Sequence, residues 1–298
     1  MKNLVILIAL FAAFSCDYVE NPLGDAIIVD PSCVEPTFAP NTNTKRNVII
    51  EDFTGFRCNN CPAAAYQIDT IKGNIGKQII PVAVHVVDQF AAPDPSKAPK
   101  YQTDFRTPGG TDIWTAYGGV IGLPSIMINR IDTFNNPARF QINYLTPFNE
   151  QVRKLIDDVP VVNIQVKANY IASKSLVCAY AETEVLSTLA DDHSIVFMLL
   201  EDSIIDWQLY SGAGGYPFYS AGDIPDYIHK HVLRKSMNNY LGETIITGGS
   251  NAVGDKAIWP SSYIVTESSW DPTHFEVVAF VYNNRTKEIM QAYKANVE

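Results

Sequence analysis

Two cysteines separated by two residues are the part of this sequence whose residue types and spacing could do chemistry. Cys58 and Cys61 form a C-x-x-C motif, with Asn59 and Asn60 between them. A thiolate, not a thiol, attacks a disulfide, so a redox-active pair needs a first cysteine with a lowered pKa. The start of a helix favours a thiolate, because unpaired N–H groups and the helix dipole stabilise the anion. The position of Cys58 relative to a helix is therefore decisive.

The residues around the motif predict a strand, a turn and a helix. Asn47 to Phe53 is a short apolar run and predicts a buried strand. A helix is expected from Asn59 to about Gly73, with Gly73 and Gly76 as stop signals. Pro62 falls in the first helical turn, where its missing N–H removes no helix hydrogen bond. Strand, turn, C-x-x-C and helix together are the context in which this motif indicates a redox site.

The next hundred residues predict further α/β elements. Residues 88–110 contain four prolines and indicate a functional lid or an insertion with its own short helix. The predicted elements are a parallel strand over Lys77–Val87, a brief helix over Thr111–Gly118, a strand over Gly122–Ile128 that begins with an X-Pro bond, turn residues over Asn129–Pro137 and an amphipathic helix over Thr146–Asp158.

This order of elements resembles that of thioredoxin-like domains, and residues 45–158 are assigned to such a domain. Cys58 and Cys61 match the attacking and resolving thiols of that family. Asp52, six residues before Cys58, matches its buried acid, and Pro124 matches its cis-proline beside the disulfide. The resemblance implies catalytic roles for these four residues. An Asp buried under the cysteines would have a raised pKa and could act as a general acid and base.

Other features of the motif leave its chemistry open. Asn59-Asn60 differs from the dipeptides of well-known oxidoreductases, and Arg57 stands where an aromatic residue is usual. Arg57 would either lower the pKa of the thiol or be a solvated surface cation. A permanent structural disulfide is the alternative to a redox-active pair. A zinc site is less favoured, because no second C-x-x-C or H-x-H lies within this domain. His85 is predicted to be a packed core histidine.

Residues 159–298 change to an all-β pattern, for which an immunoglobulin-like β-sandwich is predicted. Val161–Tyr170 and Leu176–Val185 alternate apolar and polar residues, as half-buried strands do. The other predicted strands are Ser194–Glu201, Tyr227–Arg234, Glu243–Thr247, Tyr263–Glu267, His274–Tyr282 and Glu288–Ala295, with the last two joined at Asn283-Asn284.

One stretch of this second domain contains two histidines. Trp207 to Pro225 is rich in Gly and Tyr and predicts an irregular excursion. Tyr227, His229 and His231 alternate, so they would face the same side of an extended strand. Histidines at i and i+2 can bind a metal, but no third ligand is identifiable. Packing between domains or hydrogen bonding to the Gly-rich loop is therefore expected, with no metal and no cofactor.

The N-terminal segment predicts secretion and a lipid anchor. Met1–Ser15 contains an apolar run of 11 residues, which is too short to span a bilayer and suits a signal peptide. Cys16 follows in a lipobox-like context and is the predicted lipidation site, although an ordinary signal peptide is the alternative. Residues 16–44 are assigned to a tether. Cys33 in this tether either pairs with Cys178 or both remain free thiols.

Composition restricts the partners. The chain has 298 residues and a formal net charge of −10, which argues against nucleic acid, because phosphate binding needs a basic surface. Apolar residues make up 47% of the chain, enough for the cores of two domains.

Taken as a whole, the chain resembles the Omp28-related outer-membrane lipoproteins of Gram-negative anaerobes. The segments that carry this resemblance are the lipobox, EDFTGFRCNNCPAAA, DFRTP, HKHVLRKS and VVAFVYNN. The family implies a lipid-anchored location at the outer membrane, with acylated Cys16 in the lipid. Two functions stay open. One is a thiol–disulfide oxidoreductase acting on envelope protein thiols or disulfides, and the other is a non-catalytic surface adhesion or binding lipoprotein with a structural Cys58–Cys61 disulfide.

Overall fold

A computed structural model describes residues 29–119, 122–132, 140–213 and 219–298. The predicted signal segment, the lipidation site Cys16 and the first part of the tether lie outside these residues. Within the described ranges the chain is mostly β-strand, in several sheets, with four α-helices. No helix in these ranges is both long enough and apolar enough to cross a membrane.

The elements follow one another with few long connections. The helices are α1 (Cys61–Ile75), α2 (Asp88–Ala91), α3 (Pro108–Ala116) and α4 (Asn149–Asp157). The strands are β1 (Val48–Thr54), β2 (Ile79–His85), β3 (Ser125–Ile128), β4 (Ile142–Asn143), β5 (Val162–Ile171), β6 (Leu176–Val185), β7 (His193–Glu201), β8 (Ile204–Tyr210), β9 (Gly222–His229), β10 (Val232–Ser236), β11 (Glu243–Ile246), β12 (Lys256–Ile264), β13 (Phe275–Asn283) and β14 (Ile289–Asn296).

Nine of the described strands form one sheet that runs through both halves of the chain. Its order is β14, β13, β7, β10, β2, β1, β3, β4, and β11 pairs with β7 beside this path. β1 is parallel to β2 and antiparallel to β3. β10 lies parallel to β2, with Val232 opposite Ala83. A strand from the second half therefore pairs with the edge of the first half, and the sheet crosses the division predicted at residue 158.

The central strands of this sheet are covered on both faces. β1, β7 and β13 are buried along their whole lengths. Side chains of β1 alternate between two cores: Ile49 and Phe53 pack with β2, β7 and β13, while Val48 and Ile50 pack with α1 and α4. Burial on both faces explains the near-continuous apolar runs in these strands.

A second sheet packs on the strands of the C-terminal half. Its order is β12, β6, β5, and all its pairings are antiparallel. Ile164 and Ala179 of this sheet share a core with Phe197 and Val277 of the large sheet. The Ile, Phe and Val side chains among these each contribute roughly 1.5–3 kcal/mol when fully buried. The alternation seen in the sequence of β5 arises because only one of its faces meets this core.

The described part of the predicted tether is fixed to the second sheet. Cys33 and Cys178 form a disulfide, with their Cα atoms 5.5 Å apart. The Asn163 side chain donates a hydrogen bond to the carbonyl oxygen of Asn43 at 3.0 Å. Of the two states that the sequence allowed for Cys33 and Cys178, the structure contains the disulfide.

Two predictions for the second half were wrong. Tyr227–Arg234 is not one strand, because β9 ends at His229 and β10 begins at Val232. His231 between them has a left-handed backbone with φ 51°. The region Trp207–Pro225 is not irregular at its ends, since β8 and β9 pair antiparallel there. Ile204, Trp207 and Leu209 of β8 pack against aromatic residues of the first half, and burial along this strand follows no clean alternation.

The turn predicted at Asn129–Pro137 is present at Asn129 and Arg130, and both of these residues are fully buried. Residues 133–139 lie outside the described part. Helix α1 continues through Gly73 to Ile75 and is capped by Gly76, whose φ of 96° is readily available only to glycine.

Candidate functional site

The C-x-x-C motif lies where β1 leads into α1. Cys58 and Cys61 form a disulfide, and each cysteine is only 2% exposed. α1 begins at Cys61 with Asn60 as its N-cap, so Cys58 lies in the turn before the helix. The Cys58 N–H donates to the carbonyl oxygen of Gly55 at 2.9 Å. The predicted pair thus lies at a helix start, and the helix begins at Cys61, two residues after its predicted start at Asn59.

Asp52 lies on β1, between the paired strands β2 and β3. It is opposite Ala83 on one side and Ile126 on the other. Its carboxyl group is buried, and Oδ1 has no hydrogen-bond partner within the described residues. Burial, followed by the charge of Asp69, raises the pKa of Asp52 to about 7. The carboxyl group can therefore hold or release a proton near neutral pH.

A small cavity joins Asp52 to the disulfide. It has a volume of about 50 Å³, and Asp52, Cys61, His85 and His229 all line it. A buried water needs roughly 10–15 Å³ of such space and two to four polar partners. The cavity is thus large enough for a few waters, and Asp52 and Cys61 line the same space.

Two neutral histidines form another wall of this cavity. His85 is 3% exposed, and neither ring nitrogen has a partner within the described residues. Burial, then the neighbouring His229 and Arg234, hold the pKa of His85 well below its usual value. Burial lowers the pKa of His229 to about 4, and its Nε2 lies 3.3 Å from the carbonyl oxygen of Trp207. His85 packs against Phe105, with ring centroids 4.9 Å apart, as expected of a core histidine.

His231 lines the same cavity as Tyr227 and His229. All three are buried while Ile228 and Lys230 between them are exposed, so the predicted alternation holds despite the left-handed backbone of His231. The polar partners of His231 differ from those of His229. His231 Nδ1 lies 2.7 Å from a Glu276 carboxylate oxygen, and its Nε2 lies 2.8 Å from Lys72 Nζ. Polar atoms of Asp202, His231 and Glu276 lie within 4.8 Å of one another. The ammonium groups of Lys72 and Lys294 already pair with this cluster, so it is an ion-pair network with its charges matched.

Pro124 lies at the same end of the sheet as the motif. The Leu123–Pro124 peptide bond is cis. β3 begins at the next residue, Ser125, which is buried and pairs with Phe53 of β1. Asp52 and Cys61 thus line one cavity, and Pro124 directly precedes the strand that pairs with the end of β1 leading to the cysteines.

Arg57 is directed towards the insertion. Its guanidinium forms an ion pair with Asp94 at 3.3 Å and donates to the carbonyl oxygen of Asp88 at 2.8 Å. Its backbone N–H donates to the carbonyl oxygen of Phe90 at 2.9 Å. Arg57 thus connects the motif to residues 88–110 and is not the freely solvated cation that the sequence allowed.

Gly55 makes this close approach of the insertion possible. A Cβ atom at Gly55 would lie 2.7 Å from the backbone oxygen of Phe90. We expect Gly55→Ala to lower the free energy of unfolding by about 1–3 kcal/mol, because backbone must shift to make room. Gly73→Ala is the matched control, since a Cβ there meets nothing within 4 Å, and it should raise stability by about 0.5–1 kcal/mol. Urea unfolding of both variants measures the difference; equal effects of the two substitutions would contradict the close packing.

A strand from the second half covers the motif. The backbone N–H of Leu209 donates to the carbonyl oxygen of Phe56 at 2.7 Å, and that of Ser211 donates to Asn59 at 2.8 Å. The buried Gln208 side chain donates to the carbonyl oxygen of Cys58 at 3.1 Å. Sequence reasoning missed these residues. The only signal was the lone polar Gln208 between Trp207 and Leu209.

Comparisons with known proteins place the chain in a family. The family model described as outer membrane protein Omp28 matches residues 111–298. A search of curated proteins found no match.

Solved structures add a likeness in fold. HBP35 of Porphyromonas gingivalis is similar with a TM-score of 0.62 and 14% identity, over 86% of this chain and 77% of that one. A domain of the outer membrane lipoprotein Omp28 from Porphyromonas gingivalis aligns with a TM-score of 0.32 and 18% identity, over 47% of this chain and 91% of that one. Protein AGR_C_4864 from Agrobacterium tumefaciens aligns with a TM-score of 0.45 and 10% identity, over 83% and 92% of the two chains.

The family match spans more than half of the chain and includes every strand from β3 to β14. It gives the location that the sequence predicted, the outer membrane of the cell envelope. This chain belongs to the Omp28 family of outer-membrane proteins.

Proposed function

We propose that this outer-membrane protein is a thiol–disulfide oxidoreductase whose active cysteines are Cys58 and Cys61. In this proposal residues 45–158 are a thioredoxin-like domain, residues 159–298 an immunoglobulin-like β-sandwich, and acylated Cys16 the link to the outer-membrane lipid. The partners are envelope proteins that carry thiols or disulfides.

The Asp52 carboxyl group is the observation that supports this function most. It is buried, its Oδ1 is unpaired among the described residues, and it lines the same cavity as Cys61. An unpaired buried carboxyl group costs stability, so it is unusual in a site that serves only structure. With a pKa of about 7, Asp52 has both protonation states available at neutral pH.

The chemistry begins from the disulfide state. A thiolate of the partner attacks Cys58 Sγ, and the Cys58–Cys61 bond breaks as a mixed disulfide forms. Cys61 leaves as a thiolate, and the protonated Asp52 supplies its proton through the cavity. A second partner thiolate then attacks the partner's sulfur in the mixed disulfide, so the partner is oxidised and Cys58 leaves as a thiolate. Two electrons pass from the partner to the cysteine pair.

The second candidate function is a non-catalytic binding lipoprotein with a structural disulfide. The burial of both cysteines under β8 favours it, because an inert disulfide needs no access from solvent. The two candidates differ in reduction potential, since structural disulfides in secreted proteins have potentials below about −300 mV.

A redox titration of the full chain tests the proposal. We expect Cys58–Cys61 to equilibrate at a potential above about −300 mV, in the range of catalytic pairs. We expect Cys61→Ser to retain mixed disulfides with envelope proteins, because its free Cys58 thiolate attacks partner disulfides and no Cys61 thiol remains to release the adduct.

The double variant Cys58→Ser/Cys61→Ser is the control and should retain none. Non-reducing gels followed by mass mapping identify the attachment site. A potential below −300 mV, together with no adducts on Cys61→Ser, would establish the structural disulfide instead.

A further inference from the structure

β8 lies directly over the cysteine turn, with backbone hydrogen bonds of the kind that pair strands. The N–H groups of Leu209 and Ser211 donate to the carbonyl oxygens of Phe56 and Asn59, at 2.7 and 2.8 Å. Between them, Gln208 donates to the carbonyl oxygen of Cys58 at 3.1 Å. β8 and the residue that follows it thus occupy backbone acceptors on both sides of Cys58.

Side chains strengthen this cover. Gln208 is 3% exposed, and its amide also lies 2.8 Å from the carbonyl oxygen of Leu209 and 3.4 Å from that of Gly55. The Ser211 hydroxyl donates to Asn60 Oδ1 at 2.9 Å. Gln208 is therefore a latch, because one side chain bridges β8 and the loop that holds Cys58.

Exchange with another protein requires this cover to move. A thiolate must reach a sulfur of the disulfide to form the mixed disulfide. Cys58 and Cys61 are each 2% exposed. A cysteine on a partner polypeptide is too bulky to reach either sulfur while β8 is in place.

The arrangement of β8 and β9 allows them to move as a unit. They form a two-stranded sheet separate from the other two sheets. At the base of this pair, Ser203 and His231 both have left-handed backbones, with φ 59° and 51°. The His231 N–H donates to Asp202 Oδ1 at 3.0 Å, and this hydrogen bond links the segment before β8 to the segment after β9. A two-stranded ribbon is marginally stable by itself, so its contacts with the rest of the protein decide its position.

Asp223 holds the other end of the pair. Its carboxylate accepts a hydrogen bond from Lys100 Nζ at 2.6 Å and another from the Tyr101 hydroxyl. Lys100 also lies over the ring of Trp207, 5.3 Å from the ring centroid. The pair is thus held at three places: its base, the cysteine turn, and the 88–110 insertion.

We infer that the β8–β9 pair is a gate that closes the Cys58–Cys61 disulfide and must swing away before a partner thiol can reach it. This inference rests on the proposed exchange function for its biological role, but closure itself is a property of the fold. Gln208 is the latch at the cysteines, and Asp223 is the latch at the insertion.

Reduction of the full chain by a small phosphine tests the gate without a protein partner. Individual cysteines are alkylated at intervals and followed by peptide mapping. We expect Gln208→Ala to speed the reduction of Cys58–Cys61 about tenfold, which corresponds to about 1.4 kcal/mol of lost hydrogen bonding. Asp223→Ala should also speed it, although this residue is remote from the cysteines in sequence and binds the insertion.

Ile205→Ala is the matched control on the same strand, because this side chain is 68% exposed and faces away from the cysteines. It should react at the rate of the unaltered chain. The Cys33–Cys178 disulfide is an internal reference, since its reduction should be the same in all variants if they remain folded. Wild-type rates in both Gln208→Ala and Asp223→Ala would overturn the gate. Faster reduction in both variants, without exchange with envelope proteins in any variant, would keep the gate and reject the oxidoreductase.

Discussion

Glu51→Leu is expected to lower the free energy of unfolding by about 3–5 kcal/mol, the largest effect of any substitution considered for this protein. The substitution leaves the guanidinium of Arg130 buried without its counter-ion. Both side chains of this pair are 0% exposed, so water cannot take the place of the lost carboxylate.

The geometry explains the size of the effect. Arg130 donates to both Glu51 oxygens, from Nη2 at 2.8 Å and from Nε at 3.1 Å. Its Nη1 donates to the Tyr117 hydroxyl at 3.2 Å, and the guanidinium lies between the rings of Tyr117 and Phe280, 4.7 and 4.8 Å from their centroids. Burial alone would lower the pKa of Arg130, but Glu51 and Tyr117 outweigh it and hold the pKa above its usual value.

The double variant Glu51→Leu/Arg130→Met is the matched control. It removes both charges and should recover most of the lost stability, since replacing a buried ion pair by apolar side chains is often neutral or stabilising. Urea unfolding of the wild-type chain and of the single and double variants measures these free energies of unfolding. A loss of less than about 1 kcal/mol in Glu51→Leu would mean that water reaches Arg130 and would contradict its full burial.

Asp52→Asn is expected to raise the free energy of unfolding at pH 8 by about 2–4 kcal/mol. The reason is the pKa of Asp52, which burial and then Asp69 raise from 3.8 to about 7. Above that pH the folded protein must hold a buried carboxylate, whereas the unfolded chain exposes the same group to water. The amide of Asn carries no such cost.

The pH dependence has a definite sign. Below about pH 4 the carboxyl group is protonated in both states, and the substitution should change little. As the pH rises from about 4 to 7, the unfolded state loses its proton first, so the wild-type chain loses stability that Asp52→Asn retains. Above about pH 7 the difference should be constant.

Asp112→Asn is the control for the change of charge, because this residue is exposed on α3 and should shift stability by less than about 0.5 kcal/mol. Urea unfolding at pH 4, 6 and 8 measures all three proteins. The rate of thiol–disulfide exchange gives a second readout. Asp52→Asn removes the proton donor of the proposed reaction and should slow that exchange. Equal stabilities of wild type and Asp52→Asn at pH 8 would show that the carboxylate is solvated.

The local elements around the cysteines could be predicted because their signals are short in sequence. An apolar run followed by Gly55, two cysteines and Pro62 predicted β1 and α1, and the structure contains both. The C-terminal hairpin of β13 and β14 was predicted for the same reason. Each of these signals depends on residues within about ten positions of one another.

Contacts between remote segments were beyond such patterns. Asn129-Arg130 has the residue types of an exposed turn, yet Arg130 is buried because Glu51 and Phe280 lie around it. Tyr227–Arg234 was predicted as one strand, but the strand is interrupted at His231, whose backbone is left-handed and whose side chain and N–H bind Glu276 and Asp202.

The cysteine motif also combines local features that the sequence predicted with contacts between remote segments that it did not. By itself, the sequence determined that Cys58 and Cys61 lie at a helix start after a buried strand that carries Asp52, because apolar periodicity and turn residues specify local conformation. Only the tertiary structure decided that the disulfide is closed under Gln208, about 150 residues away, and that a strand of the second half pairs with β2. Those contacts depend on how separate elements pack, and their free energy comes from partners that no local pattern identifies.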